Sequence, residues 1–274
     1  MKYVYFDKEN RMSETSSKTR NASIDTVQSG EYSFPYHYIP SPKAYLKLSK
    51  SWVYSASYIA ALNLTKKWLG PLLEANKLKR HRHMDYGCGD AGFLYALNQD
   101  SEFKGIDFDG IDIDERALRW GKVFSSDIQN INLMCGSLLN LDTDTYDSGT
   151  LIEVFEHIPI DEAPDFVNGI SRSLKKNSML FVTVPSTEIP VSEKHYRHFD
   201  FESIQRCFSD QFHVVSCVGF EKSGVLSKVL KKLMMQKRIY IETSVTSKFF
   251  IKEFERTFRQ IKGCGRIALV LKKK

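Results

Sequence analysis

The stretch "DYGCGDAG", residues 85–92, decides the fold. "HRHMDY" leading into it has strand character and "AGFLYALNQ" after it has helical character, so the glycines occupy a strand-to-helix turn. Glycine lets the backbone turn tightly and approach a ligand, and a helix start offers unpaired N–H groups and a positive dipole. Gly87, Gly89 and Gly92 fit G-x-G-x-x-G, and Asp112 lies where an acid would hold a ribose hydroxyl, which is the dinucleotide pattern. Asp85 argues against a nicotinamide dinucleotide, because a carboxylate two residues before Gly87 is a poor neighbour for a pyrophosphate. It suits a ligand that carries positive charge.

Working outward, strand and helix signals alternate. "FDGIDI", "INLMC", "GTLIEV" and "SMLFVTVP" read as strands, while "ERALRWGKVFSS" and "APDFVNGISRSLK" read as helices. In the second helix Ala163, Phe166, Val167, Ile170 and Leu174 form one stripe. Such alternation predicts an α/β protein with a parallel sheet covered on both faces. "FHVVSCVGF" and "GRIALVLKK" are two further strands, separated by a long insert instead of a short crossover. Leu226, Val229, Leu230 and Leu233 mark one amphipathic helix in that insert, and Phe250, Phe254, Phe258 and Ile261 mark a second. Upstream, residues 51–79 predict a helix broken near Gly70-Pro71. Residues 9–31 are poor in apolar side chains and predict a mobile segment, and "YSFPYHYIPSP" is apolar enough to lie across a groove.

The 274 residues suffice for one large domain with an appendage. A content of 42% hydrophobic and 26% charged residues is that of a soluble globular protein, and no apolar run reaches membrane-helix length. The N-terminus lacks the apolar core of a signal peptide, and five scattered cysteines with no C-x-x-C pair predict free thiols and no zinc site. A cytoplasmic setting follows. Charge is uneven: from Glu221 onward fifteen Lys or Arg face four Glu, a balance of +11, so the first 220 residues carry −5 of the net +6. A basic region of this kind is either a solvated face or a meeting place for an anionic partner.

An acid at the start of the glycine loop and a second acid after the next strand fit S-adenosylmethionine, with its sulfonium, amino group and ribose diol. Here the chain resembles the class I S-adenosylmethionine-dependent methyltransferases, similar to those found among bacterial surface-polysaccharide biosynthesis enzymes through "VPS", "KHYRHF" and an N-terminal "FPYHY". The resemblance implies a Rossmann-like seven-stranded sheet, mostly parallel with an antiparallel last strand and helices on both faces. It divides the chain into an arm over residues 1–50 that covers the site, a methyltransferase core over 51–220, a basic helical insert over 221–263 and the core's last strand over 264–274. Asp85, Gly87, Gly89 and Asp112 would then hold the cofactor, Ile113 would line the adenine slot and Ser137 would meet the adenine amine. Asp109 and Asp114 are one-register alternatives to Asp112. Ala91 departs from the family pattern, standing where a third glycine is usual.

The fourth strand leads into "TLIEVFEHIPI", residues 150–160, whose Glu153 would stand at the mouth of the site as a cofactor contact. Glu156 and His157 follow at helical spacing, and burying such groups is costly unless they are paired or used. Two readings stand. The E-x-x-E-H string looks like that of the small-RNA 3′-terminal ribose methyltransferases and of the ubiquinone-pathway O-methyltransferases. In that reading Glu153, Glu156, His157 and a later histidine, His195 or His198, hold Mg²⁺ or Mn²⁺ and acidify an acceptor hydroxyl. In the metal-free reading His157 is a general base, with Glu153, Glu156 and His198 assisting. "KHYRHF" places His195, Tyr196 and Arg197, beside Lys194, on a loop facing the acceptor, and His37 in "PYHY" closes over the same cleft. The expected reaction is O-methylation of a glycan, nucleotide-linked sugar or other small polar acceptor. Competing readings are an RNA ribose 2′-O-methyltransferase, with nucleic acid as partner, and a cofactor-binding partner protein without catalysis.

Overall fold

The computed structural model describes residues 52–75, 80–222, 224–236, 239–240 and 243–274; the expectations for residues 1–51, His37 among them, lie outside these. Helix α1 (Trp52–Ala75) precedes strand β1 (His81–Tyr86), α2 (Gly92–Asn98), β2 (Ile106–Asp112), α3 (Glu115–Phe124), β3 (Ile131–Cys135) and β4 (Tyr146–Ile152). Then follow α4 (Ala163–Ser173), β5 (Leu174–Pro185), α5 (Phe201–Phe208), β6 (Phe212–Lys222), α6 (Val225–Met234), a two-residue hairpin β7 (Met235–Gln236) and β8 (Ile239–Tyr240), α7 (Ser244–Phe254) and β9 (Cys264–Lys273). Seven strands form one sheet in the order β3-β2-β1-β4-β5-β9-β6. β1 to β5 run parallel, and β9 is antiparallel to both of its neighbours.

Side chains alternate across the central strands, so each face buries its own core. On one face Phe108, Phe181, Ala268 and Val270 pack with Ala60, Leu64 and Leu69 of α1, Leu94 and Leu97 of α2, and Phe250 and Phe254 of α7. On the other face Met84, Tyr86, Leu180, Val182 and Leu269 pack with Val167 and Ile170 of α4 and Ile204 and Phe208 of α5. Both faces being covered, β5 and β9 carry apolar runs over "MLFVTV" and "IALVL", while β1 and β4 also bury polar side chains. No helix among the described residues is long and apolar enough to cross a membrane.

Three local expectations are corrected. Helix α1 runs on through Gly70-Pro71 without a break. Pro71 and Lys67, whose carbonyl loses its helical partner, are both exposed, so water replaces the missing bond while Leu64 and Leu69 hold the inner face. Leu174 opens β5 instead of extending the α4 stripe, and is fully buried. Phe258 and Ile261 lie beyond the second insert helix, which ends at Phe254; Phe258 instead exchanges both backbone hydrogen bonds with Gly219 at 2.8 Å.

At the start of α2, Ala91 has φ 58 and ψ 17, a left-handed conformation that costs a residue with a Cβ roughly 1–2 kcal/mol. This is the physical reason a glycine is usual there. Ala91→Gly is therefore expected to raise stability by about 1 kcal/mol, read as a higher denaturation midpoint at unchanged m. An unchanged or lower midpoint would contradict the strain.

Candidate functional site

The sheet order turns back between β1 and β4, which lie side by side with their carboxyl ends at the same edge. Loops leaving these two strands must diverge, and a crevice opens between them. The glycine loop leaves β1. Gly87 has φ 73, and a Cβ there would stand 2.6 Å from Cγ2 of Val154 on the loop after β4. Gly87 and Cys88 donate to the Ile111 carbonyl at 2.8 and 3.1 Å, which anchors the loop to the end of β2. Gly89, at φ 54, donates its N–H to Asp112 at 2.8 Å, and Asp114 N–H donates to the other Asp112 oxygen at 2.8 Å.

Of the three acids in "FDGIDID", only Asp112 reaches the glycine loop. Asp109 pairs with Arg82 at 2.5 Å, and Asp114 caps α3 through the Arg116 N–H. Burial raises the Asp112 pKa, partly offset by these backbone donors. Ile113 beside it is 83% exposed, an apolar surface left open at the loop. Ser137 is exposed and caps the short turn after β3, accepting from Leu139 N–H at 3.2 Å.

Asp85 is buried at the end of β1, and a chain of polar groups runs to it through the sheet. His81, His83 and Asp85 alternate along β1 opposite Ser148 and Thr150 of β4. His81 Nε2 lies 2.8 Å from Ser148 Oγ, which lies 2.7 Å from His83 Nδ1. His83 Nε2 is 3.0 Å from Thr150 Oγ1, which donates to Asp85 at 2.7 Å. Because Thr150 spends its one proton on Asp85, it accepts from His83 Nε2–H. His83 Nδ1 then accepts from Ser148, and Ser148 accepts from His81. Burial depresses the His83 pKa to about 3, so the ring stays neutral and the chain of donors points one way, toward the carboxylate. Burial still pushes Asp85 up to about 7, against the lowering effect of Thr150.

The second cluster stands on the loop after β4. Glu156 is 1% exposed, and its Oε2 is buried with no hydrogen-bond partner. Its pKa rises well above the carboxylate range, through burial first and then the Glu153 charge. His157 Nε2 lies 3.9 Å from Glu156 Oε1, and one ligand-type atom from each of Glu156, His157 and His195 falls within a 4.8 Å group. Backbone carbonyls set the tautomers. His157 Nδ1 lies 2.9 Å from the Lys194 carbonyl and His198 Nδ1 lies 3.1 Å from that of Ile189, so both nitrogens carry protons. His198 Nε2 then accepts from His195 Nδ1 at 2.8 Å. In both His157 and His195 the unprotonated nitrogen is Nε2. Burial holds the His195 pKa down at about 3.

The structure thus brings Glu156, His157 and His195 together, while His198 stands one step behind, bonded to His195. Glu153 turns from them to Arg266 Nε at 2.8 Å, at φ 55. Tyr196 is tied in by its backbone N–H, which donates to the Glu156 carbonyl at 2.9 Å. Arg197 is engaged elsewhere, its guanidinium 5.2 and 5.4 Å from the ring centres of Phe155 and Phe199. Sequence reasoning missed Arg266, which also binds Glu221 and Ser57 and whose two carboxylate partners keep it charged although it is largely buried. An arginine opening the apolar strand "GRIALVLKK" was the available signal. It also missed Thr150, whose hydroxyl reads as an ordinary strand residue.

Comparison with known proteins accords with this layout. The methyltransferase domain family matches residues 57–221. No curated protein matches the chain. Among solved structures, a putative sarcosine dimethylglycine methyltransferase from Galdieria sulphuraria aligns with TM-score 0.54 at 16% identity, over 83% of this chain and 92% of that one. Geranyl diphosphate C-methyltransferase from Streptomyces coelicolor A3(2), solved with Mg²⁺, geranyl diphosphate and S-adenosyl-L-homocysteine, aligns with TM-score 0.54 at 13% identity, over 93% and 98%. A SAM-dependent methyltransferase from Archaeoglobus fulgidus aligns with TM-score 0.50 at 16% identity, over 76% and 94%. With the glycine loop, its two acids and the seven-stranded sheet in place, the chain belongs to the methyltransferase domain family and is an S-adenosylmethionine-dependent methyltransferase.

Proposed function

We propose that this methyltransferase O-methylates a small polar acceptor, such as a glycan or a nucleotide-linked sugar. The observation that carries the reading is the Glu156–His157–His195 group beside the glycine loop, at the carboxyl ends of adjacent strands. Methyl transfer to a hydroxyl requires a proton to leave, and a histidine with a fixed unprotonated nitrogen is a group that can take it. In this reading Asp112 receives the ribose hydroxyls, Gly87 and Gly89 leave room for the ligand backbone, and Ile113 lies under the adenine. Asp85 faces the positive charge. The cofactor supplies an electrophilic methyl group on its sulfonium. His157 Nε2 takes the acceptor's proton, Glu156 supports the imidazolium that forms, and the Lys194 carbonyl keeps the ring in orientation. His195 and Tyr196 border the acceptor, a role that fits their place beside Glu156 better than the core-facing contacts of Arg197 fit it.

The raised Asp85 pKa makes cofactor binding depend on pH. The carboxylate, not the acid, attracts a cation, so affinity for S-adenosylhomocysteine, whose amino group is cationic, should rise through pH 6 to 8 by about tenfold and then level. Thr150→Val removes the donor that lowers this pKa, so the rise should move to higher pH; a rise that stays in place would break the link between the polar chain and the site. Asp85→Asn should cost at least ~100-fold in affinity while raising stability of the ligand-free protein at pH 8 by ~2 kcal/mol. The sign follows from a folded pKa raised above the unfolded one: stability is full below the ordinary carboxylate pKa, is lost as pH rises from there to about 7, and then levels, whereas asparagine carries no charge to bury. Calorimetry that finds no S-adenosylhomocysteine binding at any pH would sink the cofactor assignment.

A second reading makes the same group a divalent-cation site. The unpartnered Glu156 Oε2, and second-layer acceptors on the Nδ1 protons of His157 and His195, support it. One carboxylate and two imidazoles suit Mn²⁺ better than Mg²⁺, and the ion would supply acidification of the acceptor hydroxyl. In this reading the acceptor hydroxyl includes an RNA ribose, and the basic C-terminal region supplies phosphate contacts. Mn²⁺ titration separates the readings. One equivalent bound, lost in Glu156→Gln and in His195→Asn with S-adenosylhomocysteine binding intact, favours the metal. Absence of Mn²⁺ binding leaves His157 as the base.

A further inference from the structure

We infer that α6 is a docking helix for an anionic lipid surface. Val225, Leu226, Val229 and Leu233 recur at the spacing of one helical stripe and are 80, 58, 49 and 62% exposed. Leu230, next to that stripe, is half-buried and packs against the core, so the helix already has its inward contact. The exposed stripe is additional to it. Exposed apolar side chains gathered on one element in this way mark an interaction surface.

The charge beside the stripe identifies the occupant. On the helical wheel Lys228 and Lys232, both exposed, flank the apolar arc on its solvent side. They belong to the C-terminal region that carries +11. An apolar arc bordered by lysines is the pattern of a helix that lies in a membrane interface, apolar side down and ammonium groups at the lipid phosphates. The N-terminal residues 1–51 are a poor alternative cover, since their eight Lys or Arg against five acids give +3 and would meet like charge. A second copy related by a two-fold axis would set lysines against lysines. Nucleic acid would answer the charge and leave the apolar stripe in water. The helix is also presented firmly, because the Gly224 N–H at its start donates to Glu253 of α7 at 3.0 Å.

The test is co-sedimentation of the full chain with vesicles of equal parts phosphatidylglycerol and phosphatidylcholine, beside vesicles of phosphatidylcholine alone. Binding is expected to the anionic vesicles only and to weaken with salt. Both Leu226→Glu with Leu233→Glu and Lys228→Glu with Lys232→Glu should reduce it at least ~tenfold. All four side chains are exposed, so the thermal midpoint should stay at the wild-type value and confirm that the variants are folded. Equal retention on phosphatidylcholine alone, no retention on anionic vesicles, or wild-type binding by the leucine variant would overturn the inference. So would binding of a single-stranded oligonucleotide that the lysine variant loses and the leucine variant keeps, if vesicle binding is absent. None of these outcomes bears on the methyltransferase reading, which is judged by S-adenosylhomocysteine binding.

Discussion

The van der Waals contact between Gly87 and Val154 is the constraint on which the site depends. β1 and β4 are parallel neighbours, and the chain departs from β1 toward β2 and from β4 toward β5, so their loops start side by side and diverge. Where they start there is no room for a Cβ on residue 87. Because the two loops touch here, the acids of the glycine loop and the histidine group are held to one crevice by backbone packing. Catalysis by positioning needs such rigidity more than it needs any single reactive group.

Electrostatics around this crevice are arranged as partial cancellations. Arg266, largely buried in β9, is paired with Glu153 from the end of β4 and Glu221 from the end of β6, and both glutamates sit at positive φ. Backbone strain at two strand ends is thus accepted where it brings two carboxylates onto one guanidinium. The pairing lets Glu153 lie near Glu156 with its charge answered, while Glu156 has no cation of its own in hydrogen-bond contact and its pKa is raised by burial and by the Glu153 charge. The Asp85 side of the crevice follows the same logic with neutral groups. His81, Ser148, His83 and Thr150 align their donors toward a carboxylate that burial would otherwise keep protonated.

The parallel sheet was legible because strand-like runs such as "SMLFVTVP" alternate with helical stripes between turn signals, and the glycine loop because positive φ at residues 87 and 89 demands glycine. Ala91 shows the limit of that rule, adopting φ 58 with a Cβ. Asp112 was legible by spacing, although choosing it over Asp109 and Asp114 needed Arg82 and the α3 cap, partners set by tertiary contact. Periodicity overran the real helix because Ile261 still packs on the core after the helix has ended, while the Phe258 ring is covered by Lys222 and Arg256. Proline misled at residue 71, since a solvent-facing carbonyl tolerates the lost bond. Arg266 and Glu153 are 113 residues apart, and no local pattern announces a pair formed by strand order alone.

The histidine cluster shows why residue type and spacing could gather the right candidates yet not order them. His195 and His198 are three residues apart in one loop, and either can reach the same region. What separates them is the Ile189 carbonyl, which takes the His198 Nδ1 proton and turns the other nitrogen of that ring toward His195. The proton on His195 is thereby fixed on Nδ1, and its Nε2 lone pair is the one left for the group it shares with Glu156 and His157. Two main-chain oxygens, from Lys194 and Ile189, therefore decide which imidazole nitrogens can accept a proton or a cation. The chemistry of the site is written in side chains, but its direction is set by backbone carbonyls that no sequence motif records.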